Sequence, residues 1–467
     1  MEAISGSFFV QRVPGLSLAS AGLLLAAGLW LAGCGSPTVS TPPVAAQAVV
    51  EPPPAPEEPA PFEAEGVEEV PVTPVYDLTP PPGVWPTTKV ALLLPLSGRH
   101  ARTGEALLNA AQLALFDISD EKFALVIRDT AGTDGGARLA AQSALEERVG
   151  LVLGPLFASS VFAVAEETRR VGINLIAFSN DRSVARGGIL IAGLPPDEQV
   201  ARIVDYASRQ GIRQFAQLAP RTAYGDQVMQ AMRLAVLANR VELVRSVSYA
   251  PAAEDISAEI RLLGQYDERR RELLDERERL EAQGDEASQK ALERLEGLDT
   301  LGKPDFEAVL LPAGGGSLLS IAPSLAYYDV DPAEVQYLGT ALWNDVSLGT
   351  EPTLVGGWFA APSPALWDRF RQRYLDTYGK SPPRIASLAY DLVALAAVLA
   401  RTSASVGRAA DYSTAALTQP SGFAGIDGIF RFNETGVVQR GLAVLEMGRD
   451  SLRELEPAPQ TFEAFAN

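Results

Sequence analysis

The sequence predicts an α/β protein of two doubly wound parallel-sheet lobes, with a helical hairpin inserted into the second. Three observations carry that expectation. Short apolar, β-branched runs alternate with amphipathic helical stretches from Lys89 almost to the end of the 467 residues, which is the pattern of βαβ units. The alternation comes in two series, so it describes two lobes. A densely charged helical segment then breaks the rhythm of the second series.

The chain before Lys89 is expected to lie outside this fold. Arg12 precedes an apolar run, Leu16–Leu31, that is short for a membrane span and is followed by small residues, as in an export signal. Leu31-Ala32-Gly33-Cys34 resembles the bacterial lipobox. That likeness implies a signal peptide over 1–33, cleavage before Cys34, and a thiol that carries lipid and so attaches the chain to a membrane. Each buried methylene of such an anchor adds ~0.8 kcal/mol. Gly35 follows the cysteine where an Asp would mark inner-membrane retention, so the expected address is the periplasmic side of the outer membrane. Residues 34–87 are rich in Pro, Ala and Glu and contain no Lys or Arg. Such a stretch buries no core and reads as a disordered, self-repelling tether.

In the first series, Lys89–Leu96 reads as a buried strand and the region near Gly104–Phe116 as a helix. Strands at Phe123–Thr130, Gly150–Leu156 and Ile173–Asn180 follow, with helical patterns between them. The second series places strands at Gln214–Pro220, Val241–Tyr249, Glu307–Ala313 and Val335–Ala341. Later stretches, "SLAYDLVALAAVLA" and "FRFNETGVVQRGLAVLEM", are expected to return and complete both sheets. The interruption is Tyr266–Leu298, which reads as two helical arms with a break at Gly284-Asp285. Leu273 and Leu280 would face Leu292 and Leu295 along a narrow seam. The hairpin is either a solvated insertion or a protruding element that meets a partner.

Composition removes several classes of function. Cys34 is the one cysteine, which excludes an internal disulfide and a multi-cysteine zinc site. The one histidine, His100, follows Ser97 by three residues, but no nucleophile elbow surrounds that serine. A formal net charge of -19 argues against nucleic acid as a partner. "GLDTLGKP" comes close to a phosphate-binding loop, but Pro304 stands where a Ser or Thr would meet magnesium, and a charged helix precedes it. Gly314-Gly315-Gly316-Ser317 follows a strand and suits either a tight turn or a ligand contact. Nothing in the sequence calls for a cofactor or a metal, and no enzymatic activity is expected.

Four blocks taken in order carry a family likeness: Pro95–Leu115, Leu151–Glu167, Arg221–Ala235 and Gly425–Val444. They resemble type I periplasmic binding proteins of the leucine and branched-chain amino-acid class, over roughly residues 88 to 450. The resemblance implies two lobes joined by a hinge, with a small amino-acid-like ligand held between them. It divides the domain 88–455 into a first lobe of about 88–197 with 362–430 and a second of about 198–361 with 431–455. The insertion would span 266–298 and a tail 456–467.

The same resemblance implies the cleft residues. Ser97 belongs to the first block. Ser159 and Ser160 lie in the serine run that grips a ligand carboxylate in amino-acid binders, although Ala158 stands where the first serine is expected. Ser179 and Asn180 occupy the place of a further carboxylate-binding pair, followed by Asp181. Tyr224 matches the tyrosine that shields the cleft from the second lobe. Asn344 and Asp345 lie where an acidic group meets a ligand ammonium, and Asp345 is equally suited to cap a helix. Ala333–Gly349 and Gly356–Phe370 look as much like the penicillin-binding-protein activator lipoproteins, which stand on the outer membrane and regulate a peptidoglycan synthase without catalysis. The expected role is therefore a lipid-anchored regulator with a peptidoglycan synthase as partner. The alternative is the substrate-binding component of an amino-acid ABC transporter.

Overall fold

A computed structural model describes residues 87–118 and 122–462. The signal segment, Cys34 and the tether lie outside the described residues.

The first lobe is built on a five-stranded sheet of β1 (Thr88–Leu94), β2 (Phe123–Asp129), β3 (Leu151–Leu153), β4 (Leu175–Ala177) and β5 (Ile189–Ile191). Its order is β2-β1-β3-β4-β5 with every pairing parallel. Helices α1 (Ala101–Ile118), α2 (Asp134–Glu146) and α3 (Ala158–Val171) connect the strands. The uninterrupted run Val90–Leu94 is explained by burial on both faces. Val90, Leu92 and Leu94 pack with α1, whereas Ala91 and Leu93 pack with α2 and α3.

The chain then crosses into a second lobe that repeats the plan. Helices α4 (Pro196–Arg209) and α5 (Ala223–Asn239) flank β6 (Gln214–Pro220) and β7 (Glu242–Tyr249). After α6 (Ser257–Leu263) come the hairpin arms α7 (Tyr266–Gln283) and α8 (Glu286–Leu295), then β8 (Ala308–Leu310), α9 (Gly315–Tyr327), β9 (Gln336–Gly339) and β10 (Trp358–Ala361). A second crossing returns α10 (Pro364–Tyr378), α11 (Ala386–Ser405), the short α12 (Thr414–Leu417), β11 (Phe423–Gly425), β12 (Gly428–Phe432) and β13 (Val438–Arg440) to the first lobe. A third sends β14 (Ala443–Met447) and β15 (Leu452–Glu456) to the second. The second sheet runs β15-β14-β10-β9-β8-β6-β7, with β14 and β15 antiparallel at one edge of an otherwise parallel array.

The returning segments differ from expectation. "SLAYDLVALAAVLA" becomes α11, a core helix packed on α1 rather than a sheet strand, with Leu388, Leu392 and Leu395 buried. The stretch Phe430–Met447 splits: β12 and β13 form a separate three-stranded sheet with β11, and only β14 enters a main sheet. The boundary expected at 430 therefore moves to Arg440, because Phe430, Phe432 and Val438 belong to the first lobe's core. The first crossing comes just before α4, since Val200, Ile203 and Val204 pack under the second sheet. The expected tail at 456–467 is structured through its described part: Glu456 pairs with Val444, and Ala458 and Phe462 are buried.

A buried charged cluster ties α11 to the small sheet. Asp391 accepts the Ile426 N–H at 2.7 Å, and Asp427 meets Arg384 at 2.6 Å and the Ser387 hydroxyl at 2.8 Å. Burial, and then the neighbouring Asp427, push the Asp391 carboxyl above the usual range. Gly425 is required here, since a Cβ would stand 2.5 Å from the Asp391 carboxyl carbon.

The hairpin forms as two arms of 18 and 10 residues. Gly284, at φ +63°, ends the first, and Asp285 caps the second by accepting the Ser288 N–H at 2.8 Å. Leu273 and Leu280 are buried along the seam. At its base Arg269 is buried and bonds Gly264 O, Asp329 O, Gly302 O, Thr300 Oγ1 and Asp329 Oδ2, all between 2.7 and 3.2 Å.

Candidate functional site

Ligands of doubly wound sheets sit outside the strand carboxyl ends, where the strand order reverses. Here that point lies between β1 and β3 in one lobe and between β6 and β8 in the other. In the first lobe, three loops meet there. The His100 and Phe157 rings stand 4.6 Å apart between centroids, and Gly132 lies against both. Ser97 is bound into the first loop: its N–H donates to Asp129 Oδ1 at 3.2 Å, beside the N–H groups of Leu96 at 2.8 Å and Ala131 at 2.7 Å. Burial alone would raise the Asp129 carboxyl, but these bonds and the Ser97 hydroxyl hold it below the usual carboxylate range.

Ser159 and Ser160, in the first turn of α3, are also engaged. Both hydroxyls donate to the same carboxylate oxygen, Asp134 Oδ1, at 2.9 and 2.8 Å. Asp134 opens α2, where Thr133 supplies the N-cap. The chain's own carboxylate thus stands on the two hydroxyls that the resemblance to amino-acid binders assigns to a ligand carboxylate. Nothing about Asp134 marks this in the sequence, where it reads as an ordinary acidic residue in a helix's first turn.

Ser179 is buried and accepts the Asp181 N–H at 3.0 Å. Asn180 beside it is exposed. Asp181 caps a short turn through the Ser183 N–H and reaches Gln227 Nε2 of α5 at 3.4 Å, a contact from one lobe to the other. On the second lobe, the Tyr224 hydroxyl pairs with Thr340 Oγ1 at 3.0 Å. Burial pushes its pKa up to about 12, so it stays a neutral hydroxyl across the physiological range.

Asn344 and Asp345 lie elsewhere. They line a cavity of about 720 Å³ between the lobes together with Trp367 and Arg384, which stack at 4.4 Å. The Asp345 side chain accepts the Ser347 N–H at 2.9 Å and so caps the following turn. Trp343, the residue before them, is fully buried and donates from Nε1 to Leu311 O at 3.1 Å. Trp343 is therefore held by core packing. The candidates consequently divide among the first lobe's switch-point loops, the Tyr224–Thr340 wall and a separate cavity.

Comparison with known proteins matches this geometry. The periplasmic binding protein family profile matches residues 87–451. Among solved structures, a putative branched-chain amino-acid ABC transporter protein from Rhodospirillum rubrum superposes with a TM-score of 0.61 at 18% identity, covering 79% of this chain and 100% of its own. A leucine-binding protein from Thermotoga maritima gives 0.52 at 16% identity, covering 79% and 97%. At these identities the likeness is one of fold. Among curated sequences, a penicillin-binding protein activator of Vibrio cholerae is 27% identical over 151 residues, which is 31% of this chain and 24% of the relative. An uncharacterised protein of Rickettsia prowazekii is 24% identical over 174 residues, 37% of this chain and 46% of the relative. The chain thus spans less than half the length of the curated relatives it matches. Two parallel-sheet lobes, three crossings and a profile match over residues 87–451 make this chain a member of the type I periplasmic binding protein family.

Proposed function

We propose that the protein is a non-enzymatic, lipid-anchored envelope protein that regulates a peptidoglycan synthase through a binding-protein fold. The observation that carries this reading is the carboxylate of Asp134 seated on Ser159 and Ser160. A free amino acid has to displace that carboxylate from both hydroxyls, which disfavours transport of amino acids. The likeness to penicillin-binding protein activators supports the choice of partner. Cys34 is the attachment point in this reading, and Gly35 fits an outer-membrane address.

The test pairs two measurements. The purified protein, added to a bifunctional peptidoglycan synthase, should raise its rate of glycan polymerisation or cross-linking. Calorimetry with an amino-acid panel should show no sub-millimolar binding. Tight amino-acid binding that Tyr224→Ala abolishes, with no effect on the synthase, would instead establish a substrate-binding component of an ABC transporter. Replacing Cys34 with Ala should move the protein from membrane to soluble fractions, and continued membrane retention would remove the anchor from this account.

A further inference from the structure

Where the lobes are joined, α4, β12, β13 and β15 surround a cavity of about 550 Å³ that none of the cleft candidates lines. Its size is that of a small-molecule site, which typically measures roughly 300–1,000 Å³. Both lobes supply its wall. Arg431 and Arg440 come from the first, and Arg202, Arg209 and Glu456 from the second.

The charges in this wall are unequally matched. Glu456 serves both Arg202 and Arg209 at 2.8 Å, and Asp205 meets Arg209 at 3.1 Å. Arg431 forms no ion pair among the described residues. Its Nε donates to Gln439 at 2.8 Å, its Nη1 to Pro420 O at 3.0 Å, and its guanidinium lies 4.5 Å over the Phe462 ring. Arg440 is buried, and its Nη2 donates to Ala192 O at 2.8 Å, but Nε and Nη1 have no hydrogen-bond acceptor. Asp391, which does not line the cavity, pairs with Nη1 from 3.9 Å. The remaining lining carboxyl, Glu198, accepts the Arg440 backbone N–H at 2.7 Å and is raised by burial to about 7, so it offers only part of a negative charge at neutral pH. Four guanidinium groups thus line the cavity with three carboxyls, Glu198, Asp205 and Glu456, in a chain whose net charge is -19. Phe462, Leu442 and Ala201 add an apolar wall beside them.

We propose that this cavity is a second small-molecule site, separate from the cleft, for an organic anion: one carboxylate or phosphate on an apolar body. The anionic head lies among the guanidinium groups, which suit planar and tetrahedral oxyanions alike. The apolar body lies against Phe462. Because Arg431 belongs to one lobe and Arg202 to the other, the bound anion ties the two together at their joint.

Isothermal calorimetry on the purified full chain tests this with phenyl phosphate, benzoate and benzylamine, which share a ring and differ in charge. At least one of the two anions should bind with a sub-millimolar Kd, and which one does identifies the head group. The cation should not bind. Arg431→Gln should weaken anion binding at least tenfold. Glu456→Gln releases Arg202 and Arg209 from their shared carboxylate and should tighten it at least threefold. Misfolding cannot produce that pair of opposite changes. Tyr224→Ala, in the cleft, should leave anion affinity unchanged. The site is overturned if neither anion binds the wild type or Glu456→Gln, if Arg431→Gln leaves affinity intact, or if Tyr224→Ala abolishes binding.

Discussion

Two carboxylates set the behaviour of this molecule at the scale of single residues. Asp134 holds the hydroxyls of Ser159 and Ser160, and its removal should open them to an exogenous carboxylate. Calorimetry should show leucine binding at least tenfold more tightly to Asp134→Ala than to the wild type, and equal affinities would mean that these serines do not face the cleft. Glu198 titrates near pH 7 because burial outweighs the attraction of Arg440 and Arg431 and adds to the repulsion of Asp197. Its folded pKa lies above the value of about 4.3 expected unfolded. The folded state thus binds the extra proton, and that contribution to stability is lost as pH rises from about 4.3 through 7. Urea unfolding across this window should show stability falling with pH, and Glu198→Gln should flatten the slope. A slope unchanged by the substitution would assign the effect to another group, with Asp391, which shifts in the same direction, as the next to replace.

Among elements, the hairpin shows what anchors an insertion. Most of α7 is charged and exposed, but Arg269 turns inward and makes five bonds at the base. Arg269→Leu should cost about 3 kcal/mol or more, since it strands buried acceptors. Denaturant unfolding would read the loss, and hydrogen exchange should place the loosening in α7, α8 and the loop around Thr300. The hairpin's existence was legible in the sequence from its helix formers, its Gly284-Asp285 break and the leucines of its seam. Arg269 was not, because in "DERRRELL" it is one of three adjacent arginines and its inward turn depends on Asp329, sixty residues away. Strand β1 was legible because burial on both faces leaves a continuous apolar run, Val90–Leu94. The strands β5 and β10 were not, being three and four residues long and bounded by Gly and Pro. The cleft was harder still: a serine run identifies a candidate grip, whereas the neighbour that occupies it arrives from the first turn of another helix, α2.

On the scale of the whole molecule, neither lobe is a continuous stretch of chain. The first is completed by 364–440, which follows the second lobe's strands, and the second by β14 and β15 at the end. Val444 and Leu445 are fully buried in the second lobe's two cores, so the sheet has no finished edge without them. A chain cut after Gly441 should fail to give a cooperative unfolding transition, as followed by circular dichroism, although it retains most of both lobes by length. On the proposed reading, in which the chain crosses a membrane as an extended thread, this ordering acts as a delay. The segments threaded first lack the partners that would lock them, so the polypeptide stays pliable until its last few dozen residues have emerged. Release from the export machinery and completion of the native structure then become nearly simultaneous events.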